Sequence, residues 1–564
     1  MCSPPVIVAM VTTEHDEFPE GVPPEPAFPL GQRPLHEYVA HYAREAPDRV
    51  AIDYYGAELT YGDLERAIES FATWLDERGY GHGDTLLLAL QNCPQYVIAY
   101  YGAQRLRMRV SPCSPMAKEH RLSYQLEDGD ARIAVAHDTH AGLLESVREE
   151  TPLEEVVYAR FDTYLPDEPV PAIHPDMEAA LETERRAETE TERYLDTILA
   201  ETAADPPDVE VAMDDICLLQ YTSGTTGLPK GCKHSYANVL FAASTSSTLI
   251  EQDAETRHLA VMPVFHVAGK LNAVDSPMIQ GSTTILLTRY EAEAYLEALE
   301  AHDPTNGWIT TPMVREVLPL LEEGDREVDS LESMPVTSFG QALTEELCER
   351  WEAATGAEMS EASYGLTETH TRDTFTDELG IVEEGFVGKP VYETDIVIRD
   401  WESHEEVPRG ETGEISVKTP SLFEGYLNKP EETEEAMYDG YVLTGDIGRM
   451  TEDGCLYFLG RRKYMIKSSG FSIAPAEVET VLKSHPGIAN AAVGGRDHDR
   501  KGEEVVAAVT LADESLTPDD VLEWAEDQLA AYKRPRAVVV LEELPVTDLG
   551  KLDRERLGEV VASE

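Results

Sequence analysis

Apolar and polar positions alternate with helix-like and strand-like periods through most of the chain. From Pro34 to about Asp138 the spacing predicts a helix over Leu35–Glu45, a strand over Val50–Tyr54 and, after a Thr60 cap, a helix reaching Arg78. Thr85–Leu90 is a short apolar run with turn residues on both sides, as for a buried strand. Further β-rich runs at Ile216–Tyr221, Leu259–Val261 and Thr283–Leu287 alternate with helices to about residue 380, which argues for α/β layers. Residues 381–459 are punctuated by glycine and carry strand-like segments such as Glu414–Lys418, so a β-rich subdomain is expected.

After Gly460 the pattern changes. Helices are expected at Pro475–Ser484 and Pro518–Ala530, with strands at Ala491–Val493, Val505–Leu511 and Val538–Leu541. A unit of about 100 residues has the size of a small separate α+β domain. The expected organisation is an irregular arm (1–33), a large α/β domain with its β-rich subdomain (34–459) and the small domain (460–564). The Glu-rich stretch at 176–203 reads as one long solvent-facing helical insertion, with Leu181, Leu195, Ile198 and Leu199 as its few apolar contacts.

Charge sharpens the picture. There are 108 Asp and Glu against 45 Lys and Arg, a net charge of −63, while hydrophobic residues stay at a globular 42%. No basic stripe for a nucleic acid is available, and an anionic membrane would repel the chain. Only 13 of the 45 cations are lysine. Acid excess with lysine depletion suits a protein kept soluble in concentrated salt, where repulsion is screened within about 3 Å at molar ionic strength. A halophilic origin is therefore expected. The seven cysteines are scattered without a C-x-x-C pair, and no run of 18 apolar residues occurs. A cytoplasmic protein without a membrane span is expected. Oligomeric state is left open, a homodimer included.

The sharpest chemistry lies in Tyr221-Thr-Ser-Gly-Thr-Thr-Gly-Leu-Pro-Lys-Gly231, directly after an apolar strand. Glycines let backbone N–H groups approach a polyphosphate, hydroxyls add donors, and Lys230 supplies a point charge. It is not a Walker A loop, because Leu228-Pro229 separates Gly227 from Lys230. The string resembles the phosphate loop of the acyl-adenylate-forming superfamily, which includes acyl-CoA synthetases. Further segments resemble that family in order: Met262-Pro-Val-Phe-His-Val-Ala-Gly269, Ser338-Phe-Gly-Gln-Ala-Leu343, Tyr364-Gly-Leu-Thr-Glu368, Tyr441-Val-Leu-Thr-Gly-Asp446, Gly460-Arg-Arg-Lys-Tyr-Met-Ile-Lys-Ser-Ser-Gly470 and Pro545-Val-Thr-Asp-Leu-Gly-Lys551. The match runs from about residue 35 to 555.

The resemblance implies a set of roles. Nucleotide contacts fall to Thr222, Ser223, Gly224, Thr225, Thr226, Gly227 and Lys230, to Gly340, Gln341 and Ala342, to Tyr364, Gly365 and Thr367, and to Asp446, Arg461 and Lys551. Thr222 and Glu368 would hold magnesium. The acid would meet His266, Val267, Ala268, Gly269 and Ser363; CoA would meet Arg289, Lys463, Ser469 and Gly470. Catalytic roles go to Lys551, His266 and Glu368, and Lys463 marks the hinge of a mobile small domain. Seven lysines (230, 233, 389, 463, 467, 533 and 551) lie in or beside these motifs.

The residue types suit the chemistry without the resemblance. Joining a carboxylate to the α-phosphate of ATP brings two anions together, so the site must supply cations and positioning rather than a protein nucleophile. Asp446 suits a vicinal diol, and Arg461 offers a forked donor. The expected activity is ATP-dependent acid:CoA ligation through acyl-AMP, with medium- or long-chain fatty acids first, and an aromatic, short-chain or dicarboxylic acid as the alternative. A non-catalytic nucleotide-binding protein is the alternative of another class. Departures bear on the acid: Ala362-Ser363 precedes Tyr364, Phe339 and Gln341 replace small residues, and Lys270 follows Gly269. An inward Lys270 would meet a second carboxylate of a diacid; an outward one would be ordinary surface.

Overall fold

The computed structural model describes residues 23–563 except 223–227, 324–325, 327, 339–342, 377–379, 381–382, 384, 469–470, 474, 499–500, 514 and 548–550. Its architecture is mixed α/β, with a large N-terminal and a small C-terminal domain. Two seven-stranded sheets form the large domain. In the first the spatial order is 192–194, 155–159, 131–137, 85–89, 109–112, 216–221 and 231–235. In the second it is 358–361, 333–337, 306–310, 257–260, 283–286, 50–54 and 57–60. Each is parallel apart from one antiparallel pair at its edge.

Parallel sheets covered on both faces need strands that are apolar or buried throughout. Thr85–Ala89, Glu155–Ala159 and Asn306–Thr310 meet that requirement with every residue buried. The helices Pro94–Arg105 and Tyr236–Leu249 are buried nearly all round and share one core with strands of both sheets. The expected helices and strands from Leu35 to Ala89 form as read, and the Thr60 hydroxyl accepts from Asp63 N at 3.1 Å to open the helix Tyr61–Glu77.

A five-stranded antiparallel sheet (395–399, 412–418, 441–450, 437–438, 456–461) makes the β-rich part. The small domain has its own core around Ile466, Val478, Val493, Val505, Val509 and Val521. Its long hairpin, Ile488–His498 with Gly502–Leu511, exceeds the two short strands expected there. One expectation fails outright. The stretch 176–203 is not one long helix: helices Pro175–Leu181 and Leu195–Glu201 flank a strand, Glu192–Tyr194, that extends the first sheet. Glutamate runs favour helix weakly, and an open parallel edge offers this backbone a ladder instead. Leu195 and Ile198 are nonetheless its buried contacts. No described helix is long and apolar enough to cross a membrane.

Candidate active site

A cleft of about 2080 Å³ runs where the carboxyl ends of strands from both sheets meet the antiparallel sheet and the small domain. Among the described residues, its lining carries 11 Lys or Arg and 12 Asp or Glu. The whole chain has 45 against 108, so the cleft gathers cations in an acidic molecule.

At one end, the antiparallel pairing of 441–450 with 456–461 sets Asp446 opposite Arg461. Arg461 Nε lies 2.6 Å from Asp446 Oδ1, and the Tyr364 hydroxyl donates to Oδ2 at 2.8 Å. Burial pushes the Asp446 carboxyl up, opposed by the Arg461 charge and the Tyr364 hydroxyl. The pair thus keeps a buried carboxylate poised beside a forked cation.

A second group surrounds Glu368. Tyr426 donates to Glu368 Oε1 at 2.7 Å, and its ring lies 4.6 Å from Lys230 Nζ. Residues 424–427 run along the strand Gly231–Ser235, with Lys233 N donating to Gly425 O at 3.1 Å and Leu427 N to Gly231 O at 2.8 Å. Thr222 and Lys230 bond to each other between the strands 216–221 and 231–235: Thr222 N donates to Lys230 O at 3.0 Å, and Lys230 N to Thr222 Oγ1 at 3.1 Å. Ser223, Gly224, Thr225, Thr226 and Gly227 lie outside the described residues, as do Gly340, Gln341, Ala342, Ser469 and Gly470.

His266 opens the short helix Val267–Lys270, its Nδ1 accepting from Ala268 N at 3.4 Å. Burial, with help from the Lys551 charge, pushes its imidazole down to about 3, so it stays neutral. Gly269 does not line the cleft; a Cβ there would sit 2.0 Å from Pro263 O. The spacing Pro-x-Phe-His-x-x-Gly is therefore a packing requirement that fixes His266. Val267, Ala268, Ser363, Gly365 and Thr367 line the cleft. Lys551 reaches in from the small domain, where burial and Arg461 pull its ammonium down to about 8 against the pull of Asp446. Lys463 lines the cleft beside the Tyr464 ring at 4.6 Å.

Two expectations change. Arg289 is absent from the described cleft lining; it pairs with Asp176. Lys270 neither lines the cleft nor reaches the surface. It is fully buried and ion-paired with Asp275, 3.4 Å from His370 Nε2 and 5.2 Å from the centre of the Tyr100 ring. His370 packs edge-on against His234, which donates through Nε2 to Thr367 O at 2.9 Å. Burial holds both imidazoles neutral. This polar knot ties the helix Val267–Lys270 to the loop of Thr367 and Glu368 and to the strand Gly231–Ser235. Residues 370–372 all take positive φ, near 60°, and Gly365 is needed because a Cβ would lie 2.6 Å from Arg372 N.

Sequence reasoning missed Tyr426, Trp308 and Glu361, which all line the cleft. Glu361 accepts from Ser338 N at 3.0 Å and from the Ser338 hydroxyl, and burial pushes its carboxyl up to about 7. The pattern Phe423-Glu-Gly-Tyr426 is the only local hint of the first.

Residues 39–427 match the AMP-binding enzyme family, and residues 477–551 match the AMP-binding enzyme C-terminal domain. The chain belongs to the AMP-binding enzyme family. A long-chain-fatty-acid–CoA ligase of Bacillus subtilis is 31% identical over 556 residues, covering 96% of this chain and 97% of that protein. A 2-succinylbenzoate–CoA ligase of Bacillus licheniformis is 31% identical over 522 residues, covering 91% and 98%. Among solved structures, the o-succinylbenzoate CoA synthetase of Bacillus subtilis in complex with its acyl-adenylate intermediate is similar at TM-score 0.77 and 27% identity, covering 93% of this AMP-binding enzyme and 98% of that chain.

Proposed function

We propose that this enzyme is an AMP-forming acid:CoA ligase. The observation that carries the reading is the convergence of Lys551, His266 and the Asp446–Arg461 pair on one cleft. In the first step a carboxylate oxygen of the acid attacks the α-phosphorus of ATP and pyrophosphate leaves. Lys551 stabilises charge at the α-phosphate, Lys230 takes the β- and γ-phosphates, and Asp446 accepts from the ribose hydroxyls. Tyr364 flanks the adenine, and the same reading assigns Gly340, Gln341 and Ala342 to the nucleotide. Glu368 and Thr222 offer hard oxygen donors that fit magnesium, which when bound would offset phosphate charge. In the second step the thiolate of CoA attacks the acyl carbonyl and AMP leaves. A neutral His266 orients the acid rather than acting as its base, since a carboxylate needs no deprotonation.

The domain limits follow the same reading: 34–459 binds acid and ATP, and 460–564 swings about Lys463 to withdraw Lys551 and bring Ser469 and Gly470 to CoA. The acid excess supports an enzyme working in concentrated salt, and the scattered cysteines without a C-x-x-C pair support a cytoplasmic one. For the acid, the polar groups Asn272, Thr337, Ser338 and Glu361 set among the apolar Phe265, Val267, Leu271, Trp308 and Leu343 support a compact substrate, aromatic, short-chain or dicarboxylic. A medium- or long-chain fatty acid is the second reading, favoured by the similarity to the long-chain ligase. Acid-dependent pyrophosphate release in molar KCl, across acetate to palmitate with benzoate and adipate, tests both. A signal confined to one set of acids fixes the class; release that ignores the acid would refute ligation.

A further inference from the structure

The acid side of the cleft ends on an indole. Trp308 lies in Asn306–Thr310, an inner strand of the second sheet, with 257–260 on one side and 333–337 on the other. It forms a small cluster with Met262 and Ala362, and Ala268 and Met313 pack against it. Those neighbours come from the turn before His266, from the helix that His266 opens, from the strand end before Tyr364 and, for Met313, from the helix Thr311–Glu323. The ring therefore bridges the sheet and the acid-side helix.

Its position is fixed as well as filled. Trp308 Nε1 donates to Thr337 Oγ1 at 2.8 Å, which pins the ring's orientation. The residue is 6% exposed and lines the cleft. Two of its packing neighbours, Ala268 and Ala362, are small, and the bond to Thr337 opposes rotation of the ring. Interiors packed at crystal-like density do not yield space for added methylenes without strain.

Val267, Ala268, Ser363 and Trp308 line the same cleft as His266 and Lys551, so an acid whose carboxylate sits between the last two has these side chains to extend along. We infer that Trp308 is the specificity-determining floor of the acid pocket and restricts the enzyme to compact acids, single-ring or short-chain. The inference rests on the ligase reading and adds the residue that sets the size limit. Met262 and Met313 share the cluster without lining the cleft, and their unbranched side chains repack readily. Truncation at 308 therefore opens depth rather than a sealed void.

The test compares the wild type with Trp308→Ala and Trp308→Phe in acid-dependent pyrophosphate release. Straight acids from acetate to hexadecanoate, with benzoate, are supplied together with ATP, magnesium and CoA in molar KCl. Wild-type kcat/KM should peak among short acids or benzoate and fall as the chain lengthens. In Trp308→Ala the ratio of dodecanoate to benzoate should rise by about 10-fold or more, the scale on which a pocket discriminates single methylenes, with KM for ATP unchanged. Trp308→Phe, which keeps most of the ring, should fall between the two. Wild-type activity that is as high on hexadecanoate as on compact acids would overturn the inference even if no variant folds. So would an unshifted profile in a folded Trp308→Ala. Silence of the folded wild type on every acid would instead overturn the ligase reading, and this inference with it.

Discussion

Lys270→Met deletes an ammonium that is buried against the Asp275 carboxylate. Both side chains are fully buried, so water cannot take the lost partner's place. Asp275 Oδ1 already has no hydrogen-bond donor among the described residues, and His370, held neutral by burial, stands 3.8 Å from Oδ2. Burial alone pushes the Asp275 carboxyl up, and the Lys270 charge is what opposes it. Breaking one half of such a pair costs about 3–5 kcal/mol, because an uncompensated charge is stranded. For a cooperative unit of roughly 430 residues, with an unfolding entropy of about 2.1 cal/mol/K per residue, that loss lowers Tm by about 3–6 °C. Lys270→Met/Asp275→Leu removes both charges and should recover most of the loss, since well-packed apolar replacements of buried pairs are often neutral. Thermal unfolding of the wild type, both single variants and the double variant, all at one KCl concentration, completes the cycle. A single variant within about 1 °C of the wild type, or a double variant as unstable as the worse single, would refute the reasoning.

Two further outcomes follow from the site. Lys551 is charged below its lowered value of about 8 and neutral above it, so free-enzyme kcat/KM for ATP should fall as pH rises through about 8. Lys551→Arg should remove that limb from the accessible range, and a wild-type profile flat to about pH 10 would contradict the assignment. Asp446→Asn removes the charge that faces Arg461 and accepts from Tyr364. Losing a charged hydrogen bond to the ribose should lower kcat/KM for ATP by about 10- to 100-fold with little change in Tm; an unchanged value would take Asp446 out of the nucleotide site.

Much of this enzyme is legible because its chemistry is written in contiguous strings. Lys230, Tyr364, Glu368, Asp446, Arg461 and Lys551 each sit in a segment whose residue types state a purpose, and all six converge on the cleft. What escapes such a reading depends on pairs far apart in sequence. Tyr426 matters only because 424–427 lies against the strand 231–235, bringing its hydroxyl to Glu368 and its ring to Lys230. Trp308 looks like one more apolar residue in a buried strand until Thr337 and Ala268 are placed around it. Lys270 invites a choice between solvent and substrate, whereas its partner five residues on, Asp275, decides its fate. The Glu-rich stretch misleads for a related reason: local propensity points to helix, and a sheet edge formed elsewhere in the chain turns part of it into strand.

The central claim is that one cleft activates an acid by adenylation before CoA takes part. The most direct measurement is exchange of labelled pyrophosphate into ATP, with acid present and CoA absent, for the wild type and for Lys551→Ala. The account predicts exchange that requires the acid, does not require CoA, and is lost in Lys551→Ala while that variant still converts supplied acyl-adenylate and CoA to thioester. Exchange that proceeds without acid, or a variant that loses both half-reactions equally, would contradict it.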